Sequence, residues 1–432
     1  MQSVIRGVTK QTADITIIGG GAIGSSIALH LAQADKNLKI KVIERDNSYK
    51  LCSAMLSAGG IRQQFSVKEN ILMSMYGASF LKNMDNLAVG NDIPDIQLHE
   101  IGYLFLAGDN PAHKKVLESN HKAQHECGAT WISLLNKSEL SEKFKWLNTD
   151  DLSIGTYGGK NEGYFDPWSF IMAMKRKAVS LGVEYIEGNI IGANVSNKNG
   201  SVSLHEVKSI NINDGKNEIN LASKYYVNAA GAWAGELVNL LASKTSNPKS
   251  IFKLPVKPRK RCIFSVHCPE RSASKPVPPP STPLTIDPSG VYFRPEGKGG
   301  KFIVGVSPTE ENDPDCTERD LSHVDHKLFE DVIWPTLYHR VPAFEELKVQ
   351  SSWAGFYEYN TVDQNAIIGF HSELNNLLLC NGFSGHGLQQ SPAAGRACSE
   401  LMLHNKYQTI DLTRFSFDRI VDNKPIFETG IV

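Results

Sequence analysis

Short apolar runs and glycine-rich turns alternate with amphipathic stretches along the chain. Residues 14–18 form an apolar run that leads directly into three glycines, and residues 22–34 carry small and apolar side chains at helical spacing. Residues 39–44 are a second predicted strand, so the three segments predict a βαβ unit.

Capping residues mark the predicted helix starts. Residues 66–69 (Ser-Val-Lys-Glu) predict a capping box that opens a helix. Asn110-Pro111 and Asp166-Pro167 predict two further helix starts, with glycines at 128 and 182 as the stops.

A change of pattern near residue 88 indicates a second, inserted domain. The segments predicted as its strands are 102–107, 261–266, 290–294, 302–306 and 347–354. The proline-rich stretch 275–283 is predicted to be a surface loop. The chain then offers a strand at 377–380, a glycine-rich loop and a helix from about residue 389 to 403.

Composition and charge exclude several classes of protein. The 432 residues are 41% hydrophobic and 21% charged with a net charge of -1, which is typical of a globular enzyme and predicts no nucleic-acid partner. The basic cluster 257–261 is better explained by a strand that lines a pocket or solvent. Seven scattered cysteines without a CxxC pair predict no structural metal. The apolar stretch 15–34 is explained by a strand, a turn and a helix, so no transmembrane segment is predicted.

The first glycine turn has the dinucleotide-binding pattern G-x-G-x-x-G, formed by Gly19, Gly20, Gly21, Ala22, Ile23 and Gly24. Glu44 follows Gly24 by twenty residues at the tip of the next predicted strand. Its carboxylate can accept hydrogen bonds from ribose hydroxyls and would repel the 2'-phosphate of NADP. The motif predicts a dinucleotide site without deciding between FAD and NAD.

Two further glycine elements lie far downstream. Residues 227–234 form the end of a predicted strand and carry small side chains, among them Ala230 and Gly231. Small side chains let the backbone come close to a ligand, but they are also explained by ordinary packing of a strand on a helix. Residues 382–390 place three glycines before a helix whose N-terminus favours negative charge, as on a reduced flavin. His386 within this loop is interpreted as orienting the loop or hydrogen-bonding near the flavin rather than as a general base.

Four motifs in order resemble the D-amino-acid oxidase/sarcosine oxidase superfamily of FAD-dependent amine oxidoreductases: residues 19–24, 57–65, 227–231 and 382–387. The resemblance covers nearly the whole chain and implies one FAD. The residues predicted to bind it are Gly19, Gly20, Gly21, Ala22, Ile23, Gly24, Glu44, Arg45, Ser57, Ala58, Gly59, Gly60, Ile190, Ala230, Gly231, Gly382, Ser384, Gly385, Gly387, Leu388 and Gln389.

The resemblance also implies a fold. We expect an α/β chain with a Rossmann-like, glutathione-reductase-like FAD-binding domain and an inserted α+β substrate domain on a mainly antiparallel sheet. The FAD-binding domain is predicted to comprise residues 13–87, 166–250 and 361–415, the substrate domain residues 88–165 and 251–360, and flexible or peripheral tails residues 1–12 and 416–432.

Departures from the working oxidases of this superfamily refine the expectation. Leu56 stands where some relatives tether FAD through a histidine, and residues 353–363 lack the cysteine that others use, so non-covalent FAD is expected. Ile303 stands where a lysine activates oxygen, although a shift of register would place Lys301 there. Without a cation at that point, a dehydrogenase is favoured over an oxidase.

The substrate clamp is also altered. In these relatives an arginine and a lysine hold the substrate carboxylate. Here Arg62 is kept and Gln389 replaces the lysine. Arg62 is interpreted either as the residue that binds the carboxylate or as a structural residue, in a salt bridge or as an anchor of the flavin loop. Four residues on predicted substrate-domain strands are candidates for the pocket wall, although aromatic core packing explains them as well: Tyr292, Arg294, Tyr357 and Tyr359.

A closer likeness lies within the superfamily. Residues 44–46, 163–168, 254–261, 347–355 and 382–390 resemble mitochondrial members implicated in assembly of respiratory complex I. This likeness implies a place in the matrix or on the matrix side of the inner membrane, with complex I subunits or assembly intermediates as partners. Two hypotheses follow: an enzyme that oxidises a small amine or amino acid, and a flavin-stabilised scaffold without turnover. An NAD enzyme is a distant third.

Overall fold

The structure is a computed structural model that describes residues 8–198, 204–269, 275–309, 311, 313, 316 and 321–429. In chain order its strands are β1 (Val8–Ile18), β2 (Ile40–Glu44), β3 (Gly60–Ile61), β4 (Tyr103–Gly108), β5 (Ile132–Asn136), β6 (Leu152–Gly158), β7 (Gly163–Tyr164), β8 (Glu184–Glu187), β9 (Asn189–Asn197), β10 (His205–Asn213), β11 (Glu218–Asn228), β12 (Val256–His267), β13 (Leu284–Ile286), β14 (Val291–Pro295), β15 (Lys301–Val306), β16 (Lys348–Asn360), β17 (Ile367–Phe370) and β18 (Leu377–Asn381).

Helices connect and cover these strands. They are α1 (Ala22–Ala34), α2 (Lys68–Leu81), α3 (Pro111–Glu126), α4 (Lys137–Lys143), α5 (Pro167–Ser180), α6 (Ala234–Ala242), α7 (His326–Leu328), α8 (Trp334–Arg340), α9 (Gly387–His404) and α10 (Asp418–Val421). In the described residues, none of these helices combines the length and the apolarity that crossing a bilayer requires.

Two large sheets organise the molecule. The first has the order β17-β18-β11-β1-β2-β8, with β9 and β10 attached beside β11, and β1 runs parallel to both β2 and β11. The second has the order β16-β12-β15-β14-β13-β4-β6-β5 and is antiparallel except between β13 and β4. Each sheet draws its strands from separated segments of the chain, which is the arrangement that an inserted domain produces.

The first sheet is covered closely by α1 and α9. Helix α1 is buried over most of its length because its side chains are small or aliphatic. A Cβ atom added at Gly395 of α9 would lie 2.2 Å from Ser26 Oγ of α1, so the two helices pack as closely as a glycine allows. This packing fixes the direction in which the N-termini of both helices point.

Several predicted boundaries are confirmed and two predictions are wrong. Asn110 accepts a hydrogen bond from Ala112 N at the start of α3, and Asp166 accepts two at the start of α5. The capping box of residues 66–69 does not form, because α2 begins at Lys68 and no side chain of its own caps it. Glu428 takes this role instead: it accepts hydrogen bonds from Ser66 Oγ and, at 3.2 Å, from Val67 N.

The predicted tails are also part of the fold. Residues 8–12 belong to β1 and pair with β11, whereas residues 1–7 lie outside the described residues. At the other end, Phe417 is fully buried in the core beneath the first sheet. Arg419 is buried against Asp363, with Nε 2.8 Å from Oδ2. Residues 416–429 therefore do not form a flexible or peripheral tail.

Candidate cofactor and active site

The turn between β1 and α1 is built for close backbone contact. Gly19 has φ +105°, and a Cβ atom there would lie 2.2 Å from Ala229 O. A Cβ atom at Gly24 would lie 1.8 Å from Gly19 O. Both glycines are therefore required for packing. Gly21 lines the cavity at the N-terminus of α1, and a helix N-terminus is a site that favours an anion.

Glu44 is held in place at the end of β2. Its Oε2 accepts a hydrogen bond from Gly20 N at 2.8 Å and its Oε1 accepts one from Asp46 N at 3.1 Å. Next to it, the Arg45 guanidinium lies 3.5 Å from the centre of the Trp233 ring. This end of the cavity thus presents an oriented carboxylate and a flat cationic surface, which suit the ribose and adenine parts of a dinucleotide.

The glycine elements converge on one elongated cavity of about 510 Å³. Predicted cofactor residues that line it are Gly19, Gly21, Ala22, Ile23, Glu44, Arg45, Ser57, Ile190, Ala230, Gly231, Gly385, Gly387 and Leu388. A Cβ atom at Gly231 would meet no atom within 4 Å, so its backbone borders open space. The cradle fits a long dinucleotide, since three chain-distant turns poor in side chains border it.

Four of the predicted cofactor residues lie behind the residues that line the two cavities. Gly20 holds Glu44, and Gly24 packs on the turn. Gly382 donates from its N–H to Glu358 Oε2 at 3.3 Å, and Ser384 Oγ accepts a hydrogen bond from Asn360 N at 3.0 Å. Among the residues described, these four support the residues of the cavity wall and do not line it themselves.

A second, smaller cavity of about 110 Å³ adjoins the first and shares Ser57, Gly385 and Leu388 with it. The remaining predicted site residues line it: Ala58, Gly59, Gly60, Arg62, His386 and Gln389. Sequence positions more than three hundred residues apart are thus brought together. The arrangement places a small chamber beside one end of the dinucleotide cavity.

Arg62 is the buried cation of the small cavity, with 4% of its surface exposed. Its Nη2 lies 3.2 Å from His386 Nε2, its Nη1 donates to Gln64 O, and its guanidinium lies 4.1 Å from the Phe65 ring centre. Burial lowers the pKa of the guanidinium, which still stays charged at physiological pH. In the described part of the chain it forms no ion pair, so the salt-bridge interpretation of Arg62 is not supported.

Two neighbours fix the orientation of Arg62. Gln389 Oε1 accepts a hydrogen bond from Arg62 N at 2.9 Å. Behind the loop, the fully buried carboxyl of Glu162 accepts hydrogen bonds from Gln63 N and Gln64 Nε2, each at 2.7 Å. Burial raises the pKa of Glu162 to about 8, against the opposing effect of these hydrogen bonds and of Arg62. The loop that carries Arg62 is therefore rigidly held.

His386 is a neutral imidazole in this setting. Burial, and secondarily the charge of Arg62, lowers the pKa of His386 to about 3. Its ring also lies edge-on to Phe65 at 4.9 Å between ring centres. A histidine with so low a pKa is a weak base, which agrees with its interpretation as an orienting residue.

The opposite wall of the small cavity comes from the second sheet and is rich in tyrosine. Tyr103, Tyr292 and Tyr357 line it together with Arg261. Burial raises the pKa of each of the three phenols, which therefore remain protonated hydrogen-bond donors. Arg261 forms a two-pronged ion pair with Asp313, with both distances 2.7 Å, so its charge is largely neutralised.

Ile303 lies on β15 opposite Arg294 of β14. Its side chain is buried, and in the described structure it lines neither cavity. Lys301 is exposed at the start of the same strand. Arg294 donates from Nε to Ala58 O at 2.9 Å and thus supports the loop that borders both cavities.

Two positions in the described cavity walls do not favour a covalent link to a cofactor. Leu56 contributes its carbonyl oxygen to Trp353 Nε1 at 2.9 Å. Cys52 lines the large cavity beside Gly21, but burial raises the pKa of its thiol to about 11. A protonated thiol is a poor nucleophile, so Cys52 is inert at physiological pH.

The fold and the two joined cavities define an FAD-binding oxidoreductase. The chain belongs to the family described as FAD dependent oxidoreductase, whose profile matches residues 14–401. This confirms the predicted fold class, the superfamily and FAD as the cofactor. The large cavity, bordered by the turn after β1 and by Gly385, Gly387 and Leu388, would hold the FAD.

The chain is also similar to individual proteins and to solved structures. The chain is 43% identical to FAD-dependent oxidoreductase domain-containing protein 1 of Xenopus laevis, over 98% of this chain and 85% of that protein. It is 36% identical to the Drosophila melanogaster homolog over 97% and 81% of the two chains. Among solved structures, L-proline dehydrogenase from P. horikoshii shares the fold with a TM-score of 0.78, 24% identity and coverage of 96% and 100%.

Proposed function

We propose that the chain is an amine or amino-acid dehydrogenase whose Arg62 binds the substrate carboxylate. The observation that carries this proposal is a fully buried guanidinium that borders a cavity and has no ion pair within the described residues. Burying a charge without a partner is costly, and the cost is offset when an anion binds. A carboxylate fits, because the guanidinium fork can hold both of its oxygens.

The size and chemistry of the chamber support a small substrate. The cavity of about 110 Å³ is bordered by neutral tyrosine hydroxyls and by aliphatic side chains, such as Ile263 and Ile286. An uncharged amine next to the carboxylate would find hydrogen-bond donors and acceptors there. Arg62 would be occupied by the carboxylate, and Arg261 is paired with Asp313. Bound FAD would supply the acceptor for a hydride from the carbon next to such an amine.

A dehydrogenase is favoured over an oxidase. Ile303 is apolar where the oxygen-activating lysine is expected, and Arg261 is neutralised by Asp313. Neither group offers a free cation to stabilise charge that develops on oxygen. We infer that the electrons leave to a partner molecule.

The test uses the FAD-loaded protein under anaerobic conditions with a dye acceptor. We expect N-methyl or cyclic amino acids to bleach the flavin, and the matching amines without a carboxylate to be slower. Arg62→Gln should raise KM about 100-fold, since a charge-assisted pair contributes about 1.5–3 kcal/mol. Arg396→Ala on the solvent side of α9, where Arg396 pairs with Glu400, is the control and should change nothing.

A second candidate is a flavin-stabilised scaffold in the assembly of respiratory complex I, located on the matrix side of the inner mitochondrial membrane. One observation favours it: Gln389 replaces the second cation of the clamp, and its amide oxygen is already used by Arg62 N. Location and partners rest on likeness in sequence alone. Cells that lack the protein would be complemented with Arg62→Gln. Restored complex I would favour the scaffold, and complex I that stays lost would favour turnover.

A further inference from the structure

Tyr103 presents a hydroxyl group to the small cavity. The residue begins β4, is 6% exposed and lines the cavity together with Arg62. Its hydroxyl forms no hydrogen bond with any residue that the structure describes. A buried tyrosine hydroxyl normally has a hydrogen-bond partner, so this one is available to a ligand.

The hydroxyl lies against the loop that carries Arg62. A Cβ atom added at Gly60 would collide with the Tyr103 hydroxyl oxygen, because the two residues are in direct contact. The backbone oxygen of Tyr103 accepts a hydrogen bond from Gln64 Nε2 at 3.2 Å. Tyr103 therefore contacts this loop on both sides of the arginine.

Two aromatic rings pack on the Arg62 guanidinium. The centre of the Phe65 ring lies 4.1 Å from the guanidinium carbon, and the centre of the Phe105 ring lies 5.0 Å from it. The Tyr103 ring is stacked beside that of Phe105, with 6.3 Å between the ring centres and 22° between the planes. Both side chains project from the same side of β4, since they are two positions apart. The aromatic wall that packs on the cation thus ends in a hydrogen-bond donor.

The other two tyrosines of this wall have different neighbours. The Tyr292 ring packs against Gly305 of β15, and the Tyr357 ring packs against Gly385. Of the three contacts, only that of Tyr103 is with the loop that carries the buried arginine.

We propose that Tyr103 is a second residue that binds the substrate carboxylate, with its hydroxyl donating a hydrogen bond to the anion that Arg62 holds. Two donor groups suit this anion, because a carboxylate has two oxygens and about four acceptor positions. A hydrogen bond from a hydroxyl to a carboxylate is also shorter and stronger than one to a neutral oxygen. The inference rests on the proposed function and adds to it a selection of free carboxylates over neutral amides and esters.

The phenol keeps the proton that this hydrogen bond needs. Burial raises the pKa of Tyr103, although the charge of Arg62 acts in the opposite direction. Because the hydroxyl would hold the carboxylate equally in the ground state and in the transition state, its loss should raise KM and leave kcat nearly unchanged.

The experiment titrates the FAD-loaded protein with cyclopentanecarboxylate and, separately, with cyclopentanecarboxamide. Neither compound has an amine to oxidise, so binding is measured without turnover, from the change in flavin absorbance at constant ionic strength. The wild type should bind the carboxylate at least about tenfold more tightly than the carboxamide. Tyr103→Phe should raise the Kd of the carboxylate about tenfold and that of the carboxamide about threefold at most, since hydrogen bonds to charged groups are the stronger ones.

Tyr157→Phe is the matched control. Tyr157 lies on β6 next to β4, and in the described structure it lines neither cavity. Both Kd values of this variant should stay within about twofold of the wild type. The Tm of ligand-free Tyr103→Phe should also be unchanged, because the hydroxyl that it loses has no partner in the described residues.

The possible failures can be told apart. If Tyr103→Phe keeps the carboxylate affinity within about twofold while Arg62→Gln loses it, the role of Tyr103 is excluded and the proposed function stands. If the wild type binds no carboxylate, the proposed function is refuted, and this inference with it. An equal loss for both ligands, a Tm that falls by more than about 5 °C, or a variant that does not fold would show a structural role for the hydroxyl and overturn the proposal.

Discussion

Replacing Arg419 by methionine should destabilise the whole first sheet and not merely the end of the chain. Its guanidinium donates to Asp363 through Nε at 2.8 Å and through Nη2 at 3.0 Å. The side chain of Arg419 is 4% exposed and that of Asp363 is not exposed at all. Methionine fills a similar volume but leaves the carboxylate of Asp363 buried without its cation.

The expected loss follows from this burial. Removing one partner of a buried ion pair costs about 3–5 kcal/mol, because the remaining charge is uncompensated. Asp363 would keep hydrogen bonds from Asn360 Nδ2 and Asn365 N, which lessen the loss without removing it. Asn360 N also donates to Ser384 Oγ in the loop before α9, so FAD affinity should fall as well.

The assay is urea unfolding of the apoprotein, with the free energy of unfolding taken from the midpoint and the slope. Lys424→Ala is the control within the same segment, since the exposed pair of Lys424 with Asp422 should contribute at most about 1 kcal/mol. The double variant Asp363→Asn, Arg419→Met removes both charges but keeps a side-chain oxygen that can accept a hydrogen bond, so it should be more stable than Arg419→Met alone. A loss below about 1 kcal/mol for the single variant would refute the reasoning.

Three further predictions concern the site. Gly24→Ala should destabilise the apoprotein by about 3 kcal/mol or prevent it from folding, because the new Cβ atom would meet Gly19 O at 1.8 Å. Gly21→Ala is the control, because a Cβ atom there has space. It should leave the stability of the apoprotein unchanged in thermal melts and weaken only FAD binding. Glu162→Gln should lower the free energy of urea unfolding by about 1–3 kcal/mol, because two N–H donors then share one acceptor oxygen; an unchanged midpoint would contradict this. Burial lowers the pKa of His386 to about 3 in the folded protein, below its ordinary value of 6.5. The unfolded chain therefore takes up the proton first, and stability should fall as pH decreases from 6.5 towards 3. His386→Asn should remove this part of the pH dependence of Tm, and parallel Tm profiles would exclude it.

Local signals in the sequence were sufficient for the first glycine turn and for several helix starts. The turn at Gly19, the strand that ends at Glu44 and the helix caps at Asn110 and Asp166 depend on residues close together in the chain. Their chemistry needs no knowledge of the rest of the fold. For the same reason the sequence predicted which segments would border the dinucleotide cavity.

The sequence did not reveal contacts between residues that are far apart in the chain. The residues 66–69 have the composition of a capping box, yet Glu428 provides the cap from more than three hundred and fifty positions away. Its carboxylate reaches Ser66, Val67 and Asn70 at once, which the box cannot do. A polar C-terminal segment that carries Arg419 and Glu428 looks like a solvated tail unless its buried partners are known.

The substrate side of the site shows the same limit for another reason. The cavity wall contains Tyr103, Tyr292 and Tyr357, which come from three strands of the second sheet. More than two hundred and fifty residues lie between the first and the last of them. Taken singly, each tyrosine could equally be explained by aromatic packing in the core. Only the pairing order of the sheet places them on one wall opposite Arg62. A cation can be predicted from its motif, whereas the cavity that gives it a ligand is a property of the two sheets together.

This division explains why Arg62 stands out. It is a buried cation that borders a cavity, and it has no ion-pair partner within the described residues. A buried charge of this kind reduces stability unless something else compensates it. Arg62 faces the small cavity, where an anion would compensate it. Because a guanidinium stays charged throughout the physiological pH range, its preference for an anion should not depend on pH there.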